Sequence, residues 1–286
     1  MPSRPNILLI IAHDLGAHLG CYGVPNVPSP QLDQLAEEGV RFGRHFCSAA
    51  FCSPSRGAIF TGKYPHVNGL MGLVNLGWDL PPHNVTLGQA LKADGYETFL
   101  FGLQHEVKDV ARLATLFDHV SDRSVGHACD RVAPLVTDFL EQRGKERGKN
   151  SDRPFYARVG FSEVHRSFER YEPEDPEGVT VPPYLEDTPG AREDFAQFHG
   201  AIRCLDTAVG QILAALDDAG LRDDTLVIFT ADHGIAFPRA KATLYDSGMQ
   251  TALMMRWPNG FEWGRVCNEM LSNIDLFPTV MDASGG

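Results

Sequence analysis

Short runs of consecutive apolar residues, each ending in polar ones, punctuate the chain. Asn6 to Ala12 is the first, and Thr225 to Thr230 (TLVIFT) repeats the pattern. A strand that is apolar at nearly every position is buried on both faces, as in the centre of a parallel sheet. Tyr96 to Phe101 and Phe155 to Phe161 predict further strands, and Thr251 to Trp257 is another candidate. Elsewhere the apolar positions fall at helical spacing. Ala191 to Ala219 predicts a long amphipathic helix, with Phe195, Phe198, Ile202, Leu205, Val209, Ile212 and Leu213 as its buried stripe. Shorter helices are predicted at Ser29 to Gly39, from near Pro54 to Thr61, and at Thr86 to Ala93, Arg131 to Arg147 and Ile274 to Ala283. Glu163 to Gly190, rich in proline and acids, reads as a long surface loop, and Gly144 to Asp152 as a charged, mobile surface segment. Strands alternating with helices define an α/β fold, with a largely parallel central sheet flanked by helices on both faces. Ligands of such sheets bind beyond the carboxyl ends of the strands, so the residues following each strand are the candidates for chemistry.

Composition narrows this picture without redirecting it. The 286 residues are 43% hydrophobic and 22% charged, enough for a sizeable core. A net charge of −12 and a pI near 5.3 argue against a general nucleic-acid or membrane-surface binder, so an anionic ligand would need a local basic pocket. Six cysteines are scattered without a C-x-x-C pair, which speaks against a disulfide framework or a zinc ribbon. The first apolar run is far too short to span a membrane, and no signal-peptide core precedes it. As written, the chain is expected in the cytoplasm. A signal peptide removed and replaced by a start Met would place it in the periplasm or outside the cell.

Candidate chemistry gathers around Phe51-Cys52-Ser53-Pro54-Ser55-Arg56-Gly57, which reads as a helix start, with Pro54 suited to a first helical position and Ser53 or Ser55 to capping. Loose N–H groups and partial positive charge at a helix start favour an anion. Cys52 and Arg56, four apart, share one face, so a potential nucleophile and a fixed cation converge. His13-Asp14 follows the first strand and Asp232-His233 follows the strand at 225–230. Two such pairs at equivalent strand ends make a candidate metal site, in which carboxylates neutralise a divalent ion and imidazoles add ligands. His105 follows a third strand, His165 a fourth, and Lys241 lies soon after Asp232. Each alone is an ordinary loop residue, and their meaning depends on the company they keep.

The motifs RPNILLIIAHDLG, CSPSRGAIFTGKYPH, GLQHE, VHRSF, TLVIFTADHG and KATLYDSG, in this order from Arg4 to Gly248, resemble the formylglycine-dependent sulfatase family of the alkaline phosphatase superfamily. SNIDLFPTVMDASGG resembles the segment that closes the family's main domain. The resemblance implies one catalytic domain over residues 1–286, without the smaller C-terminal subdomain with which family members commonly continue. It implies hydrolysis of a sulfate ester or sulfamate on a sugar, after a formylglycine-generating enzyme has oxidised Cys52 in the unfolded chain. One hydroxyl of the hydrated aldehyde would attack sulfur. The other would lose its proton, expel sulfate and restore the aldehyde, an exit that a sulfated thiol lacks.

Carried over residue by residue, the resemblance makes His13, Asp14, Asp232 and His233 metal ligands beside the modified Cys52. Arg56 would hold the formylglycine hydroxyls and His105 would stabilise the nucleophilic centre. His165 would protonate the leaving group or contact the sulfate, and Lys241 would bind a sulfate oxygen. One divalent metal is expected, Ca²⁺ first, with Mn²⁺ or Zn²⁺ admitted because His13 stands where the family usually has aspartate. Leu103 stands where a sulfate-contacting lysine is usual, leaving Lys63 or Lys108 as substitutes. The run from Val181 to Pro238 is most similar to the branch acting on N-sulfoglucosamine of heparan-type glycans. The expected partner is therefore a small sulfated sugar or glycan end, with no nucleic acid and no membrane. A phosphodiesterase or phosphonate hydrolase on the same scaffold, or a sulfatase-like binding protein without activity, remain as alternatives.

Overall fold

In the computed structural model, which describes residues 4–147 and 153–285, the first apolar run becomes strand β1 (Asn6–Ala12). Its side chains alternate between two cores. Leu8, Ile10 and Ala12 enter one, and Ile7, Leu9 and Ile11 the other, so both faces of the strand are dry. The sheet is completed by β2 (Val40–Phe46), β3 (Glu97–Gly102), β4 (His119–Val120), β5 (Phe155–Gly160), β6 (Thr225–Ala231), β7 (Leu253–Arg256) and β8 (Arg265–Ser272). Among the described residues the strand order is β4-β3-β5-β1-β6-β7-β2-β8. Every neighbouring pair is parallel except those made by β7, which runs antiparallel to both β6 and β2.

The helices are α1 (Pro30–Glu37), α2 (Cys52–Thr61), α3 (Pro65–Asn68), α4 (Leu87–Ala93), α5 (Leu113–Leu116), α6 (Cys129–Glu146), α7 (Pro189–Asp218), α8 (Asp246–Met249) and α9 (Leu276–Ser284). α1, α6 and α7 cover the Leu8 face of the sheet, while α2, α4, α5 and α9 cover the Ile7 face. The expected α/β architecture, a largely parallel sheet with helices on both faces, is the one that forms. No helix among the described residues is long and apolar enough to cross a membrane.

Several local expectations need correction. α2 starts at Cys52, so Pro54 is its third residue, where a missing N–H still breaks no intrahelical bond. Neither Ser53 nor Ser55 caps it: the Ser53 hydroxyl accepts from the Val74 amide, and Ser55 donates to the Asp232 carbonyl. β2 and β8 were not foreseen, because β8 is exposed along most of its length and neither strand has a clean apolar alternation. Of the segment 144–152, residues 144–146 close α6 and 148–152 lie outside the described residues. The long segment after β5 is a loop, but not wholly a surface one: Glu163, Val164, Phe168 and Val179 are buried, a 3-10 turn forms at Pro176–Gly178, and α7 begins at Pro189.

Strand register decides what the loops bring together. Ala12 pairs with Ala231, Ile11 with Gly160, and Gly102 with Gly160. The carboxyl ends of β1, β6, β5 and β3 therefore finish level, and the residues after them begin side by side.

Candidate active site

The pairing of Ala12 with Ala231 places His13-Asp14 against Asp232-His233. The amides of Asp14 and His233 both donate to Asp232 Oδ1, at 3.0 and 2.9 Å. Asp14 adopts φ +56°, a left-handed conformation that aspartate tolerates better than most residues. From there its carboxylate meets His13 Nδ1 at 2.6 Å, His233 Nε2 at 3.0 Å and Lys241 Nζ at 2.6 Å. Glycine must follow the second pair, since a Cβ on Gly234 would lie 1.9 Å from the Ser247 carbonyl oxygen.

α2 aims its first turn at this cluster, and every residue of that helix is buried. Cys52 Sγ is 3.4 Å from His233 Nε2, and one turn later Arg56 Nε donates to Asp232 Oδ2 at 2.9 Å. The shared face expected from their spacing is what the helix presents. Behind it, Asn273 Nδ2 donates to Ser55 Oγ at 3.0 Å, and Asn273 Oδ1 accepts from the Ser48 amide at 3.1 Å. One ligand atom from each of His13, Asp14, Cys52, Asp232 and His233 lies within 4.8 Å of the others, and all five residues are buried.

Two buried carboxylates this close demand positive charge. Burial alone would push the His13 imidazole down, but Asp232 and Asp14 outweigh it and raise it to about 9. Against the same burial, the two carboxylates lift His233 well above its ordinary value. Burial would raise the Cys52 thiol, yet the neighbouring His105, His13 and His233 imidazoles bring it down to about 4. Asp14 and Asp232 are held below the carboxylate range despite their burial, by His13 and His233 and, for Asp232, by Arg56 as well. Protons on the imidazoles thus stand where a cation would. Among the described residues, His13 Nε2 and both Arg56 Nη atoms are buried without a hydrogen-bond partner. An orphaned buried donor or acceptor costs about 1–3 kcal/mol, so such atoms mark where a ligand belongs. An imidazole nitrogen suits a metal and a guanidinium suits an oxygen. These residues fit a divalent ion.

The upper part of the site comes from loops. The His105 and His165 rings lie 5.3 and 4.6 Å from that of His13, centroid to centroid. His105 is held by its neighbours: Gln104 Oε1 accepts the amides of Glu106 and Val107, both at 3.0 Å. The buried Glu106 carboxylate takes Arg158 Nη2 at 2.8 and 2.9 Å, and the Arg158 guanidinium lies 3.5 Å from the centre of the Phe60 ring on α2. His165 follows a two-way backbone link, in which the His13 amide donates to the Glu163 carbonyl at 2.7 Å and Val164 to the His13 carbonyl at 2.6 Å. Arg166 then ties the loop to the Ala236 carbonyl and to Asp194, each at 2.8 Å. Lys241 is set by its own amide on the Ile235 carbonyl, 3.0 Å away. Burial opposes the charge on Lys241, but the Asp14 carboxylate keeps it raised.

All nine residues singled out in the sequence gather here. The two substitutes for the missing lysine do not. Lys63 sits past the far end of α2, about 15 Å of helix from Cys52, and bonds Asn84. Lys108 is exposed, with its amide on Asp79. Leu103 itself is buried. Sequence reasoning missed Asn273, Glu106 and Glu163 as supports. One signal was available: Arg158 is a lone charge inside an otherwise apolar strand, which requires a buried partner. A cleft of about 880 Å³, lined by residues including Gly16, His18, Tyr184, Ile235, Arg239 and Tyr245, abuts the turns after the two Asp/His pairs, but none of the nine lines it.

Fold and site together define an α/β protein built on a largely parallel sheet, with a buried His/Asp/Cys cluster at the strand ends. The chain belongs to the sulfatase family, whose profile matches residues 5–286. It is 32% identical to human N-sulphoglucosamine sulphohydrolase over 98% of this chain and 61% of that protein. It is 28% identical to an ulvan-active sulfatase of Formosa agariphila, over 100% of this chain and 53% of that one. The chain therefore spans between about half and three-fifths of these relatives' lengths. Among solved structures, a putative sulfatase from Bacteroides fragilis shares the fold with a TM-score of 0.82 at 22% identity, over 99% of this chain and 74% of that one. The phosphonate monoester hydrolase of Agrobacterium radiobacter shares it with a TM-score of 0.76 at 24% identity, over 99% and 74%.

Proposed function

We propose that the protein is a sulfuric ester or sulfamate hydrolase acting on a sugar through a formylglycine made from Cys52. N-sulfoglucosamine at the end of a heparan-type glycan is the substrate we favour. The observation that carries this reading is the convergence of Cys52, at the head of a wholly buried helix, with two Asp/His pairs and the unpartnered guanidinium edge of Arg56. The narrower substrate choice is supported by the 32% identity to the human N-sulphoglucosamine enzyme. Residues 1–286 form the catalytic domain in this reading.

His13, Asp14, Asp232 and His233 would hold one divalent metal, which when bound supplies positive charge that favours an ionised oxygen at position 52. Ca²⁺ heads the proposal, and the two imidazoles in the donor set bring Mn²⁺ and Zn²⁺ into the test. The formylglycine supplies an oxygen nucleophile and a route for sulfate to leave. The chain's own groups do the rest. The free Arg56 Nη donors orient the oxygens at position 52. His105, whose ring lies 5.3 Å from that of His13 beside Cys52, exchanges a proton with the oxygens at position 52. His165, with 46% of its side chain exposed, stands at the mouth and protonates the departing amine or alcohol. Lys241 turns its charge to the transferring sulfuryl oxygens.

The test uses protein purified from its native host. The tryptic peptide His45–Arg56 should carry the formylglycine mass, and sulfate should be released faster from N-sulfoglucosamine than phosphate from a phosphodiester. An intact thiol at position 52, in a host that modifies other sulfatases, would overturn the mechanism. A preference for the phosphodiester would overturn the substrate class.

A further inference from the structure

Away from the site, Cys129 and Cys204 bring their sulfur atoms to 3.1 Å. That is only about 1 Å longer than a disulfide bond. Cys129 opens α6 and Cys204 lies at the middle of α7, and these helices pack along one another on the Leu8 face of the sheet. We propose that the two residues are a redox-active dithiol which closes to a disulfide, stapling α6 to α7. The scattered cysteines form no framework, but this pair forms one link.

Accessibility sets the order of events. Cys129 is fully buried, whereas Cys204 is half-buried and lines a surface pocket of about 500 Å³ with Arg170, Tyr171 and Arg203. The hydrogen bond between the sulfurs raises the Cys129 thiol and lowers that of Cys204, so the thiolate forms on the sulfur that solvent reaches. The oxidant is a low-mass disulfide such as oxidised glutathione. The Cys204 thiolate attacks one of its sulfurs, the external S–S bond breaks, and one glutathione leaves as a thiolate. Cys129 gives up its proton and attacks Cys204 Sγ, which expels the second glutathione. The two protein thiols lose two electrons, the external disulfide gains them, and the two protons end on the glutathione thiols.

The link bears on the catalytic end of the sheet. The Cys129 amide donates to Glu163 Oε2 at 2.8 Å, and Tyr171 donates to Oε1 of the same carboxylate at 2.6 Å. The Glu163 carbonyl in turn receives the His13 amide at 2.7 Å. A bond at Cys129 thus fixes the residue that braces His13 and stands two before His165.

The native full chain is equilibrated with graded ratios of oxidised to reduced glutathione, quenched, alkylated in denaturant and digested without reduction. Peptides Ser124–Arg131 and Cys204–Arg222 each contain one cysteine, and they should appear cross-linked while Cys21 and Cys267 stay alkylated. With the linked residues 75 positions apart, the oxidised form should melt higher by roughly 5–10 °C. Cys129→Ser should trap glutathione on Cys204, whereas Cys204→Ser should leave Cys129 free. The proposal fails if the wild-type peptides link only after denaturation, or if a glutathione adduct accumulates on wild-type Cys204 without passing to Cys129. The wild-type map decides it even if a variant does not fold.

Discussion

The rings of His13 and His165 stand 4.6 Å apart, centroid to centroid, yet they are held in unlike ways. His13 belongs to a floor made by the ends of β1 and β6 and the first turn of α2, where His13, Asp14, Cys52, Arg56, Asp232 and His233 are all buried. The position of each follows from strand register or from a helix with no exposed residue. His165, His105 and Lys241 form a rim, carried on loops and braced by side chains such as Arg166 and Glu106. Nothing on the floor can shift without disturbing the sheet, whereas the rim can change while the core stays packed. Damage to the floor should therefore reach stability and turnover together. Damage to the rim should reach turnover alone.

The strongest challenge to that contrast is Asp232→Asn. Asp232 accepts from Asp14, His233 and Arg56, and the amide would turn a donor towards the buried guanidinium. Breaking a buried ion pair typically costs about 3–5 kcal/mol. The unfolding free energy should fall by that order in denaturant melts, and sulfate release should fall by roughly 10³-fold as charge stabilisation is lost. Unchanged stability with lost turnover would make the floor no different from the rim.

Metal binding tests the floor in a second way. In the metal-free chain the carboxylates raise His13 to about 9 from an ordinary 6.5. Since the folded value lies above the unfolded one, protonation stabilises the metal-free fold fully below about pH 6.5, and this contribution is lost as pH rises through about 9. A metal needs the neutral imidazole, so its affinity should move in the opposite sense and rise by up to about tenfold per pH unit for each protonated ligand. Calorimetry at pH 7 in two buffers of different ionisation enthalpy should show protons released on titration with Ca²⁺, Mn²⁺ or Zn²⁺. Binding without proton release would remove the imidazoles from the ligand set.

The floor was also the more legible part of the sequence. Strands buried on both faces write themselves as unbroken apolar runs, and the residues after β1 and β6 could be read as ligands from that alone. β2 and β8 left no such mark, because polar side chains are tolerated along partly exposed strands. Local pattern also cannot show which distant side chain meets a buried polar group. Asn273 sits more than two hundred positions from Ser55, and Glu106 fifty-two from Arg158. Lys63 and Lys108 failed as substitutes for the same reason, since their distance from Cys52 is a property of the packed helix and loops.

Lys241→Ala should give the smallest effect, and it bears directly on the rim. The side chain is 20% exposed and joins the floor only through its Nζ on Asp14 at 2.6 Å. Its loop is set by backbone bonds from Lys241 and Ala242 that the substitution keeps. The melting temperature should therefore move by no more than about a degree, the scale of a surface substitution. Turnover should fall by about 10²-fold, the typical loss when one aimed donor is removed. Lys241→Arg, which keeps the charge with a different reach, should recover part of that loss. A stability loss like that of Asp232→Asn would place Lys241 on the floor as the counter-ion of Asp14. Unchanged turnover in both variants would leave it with no part in handling the sulfuryl group, and the cationic work of the site would fall to Arg56.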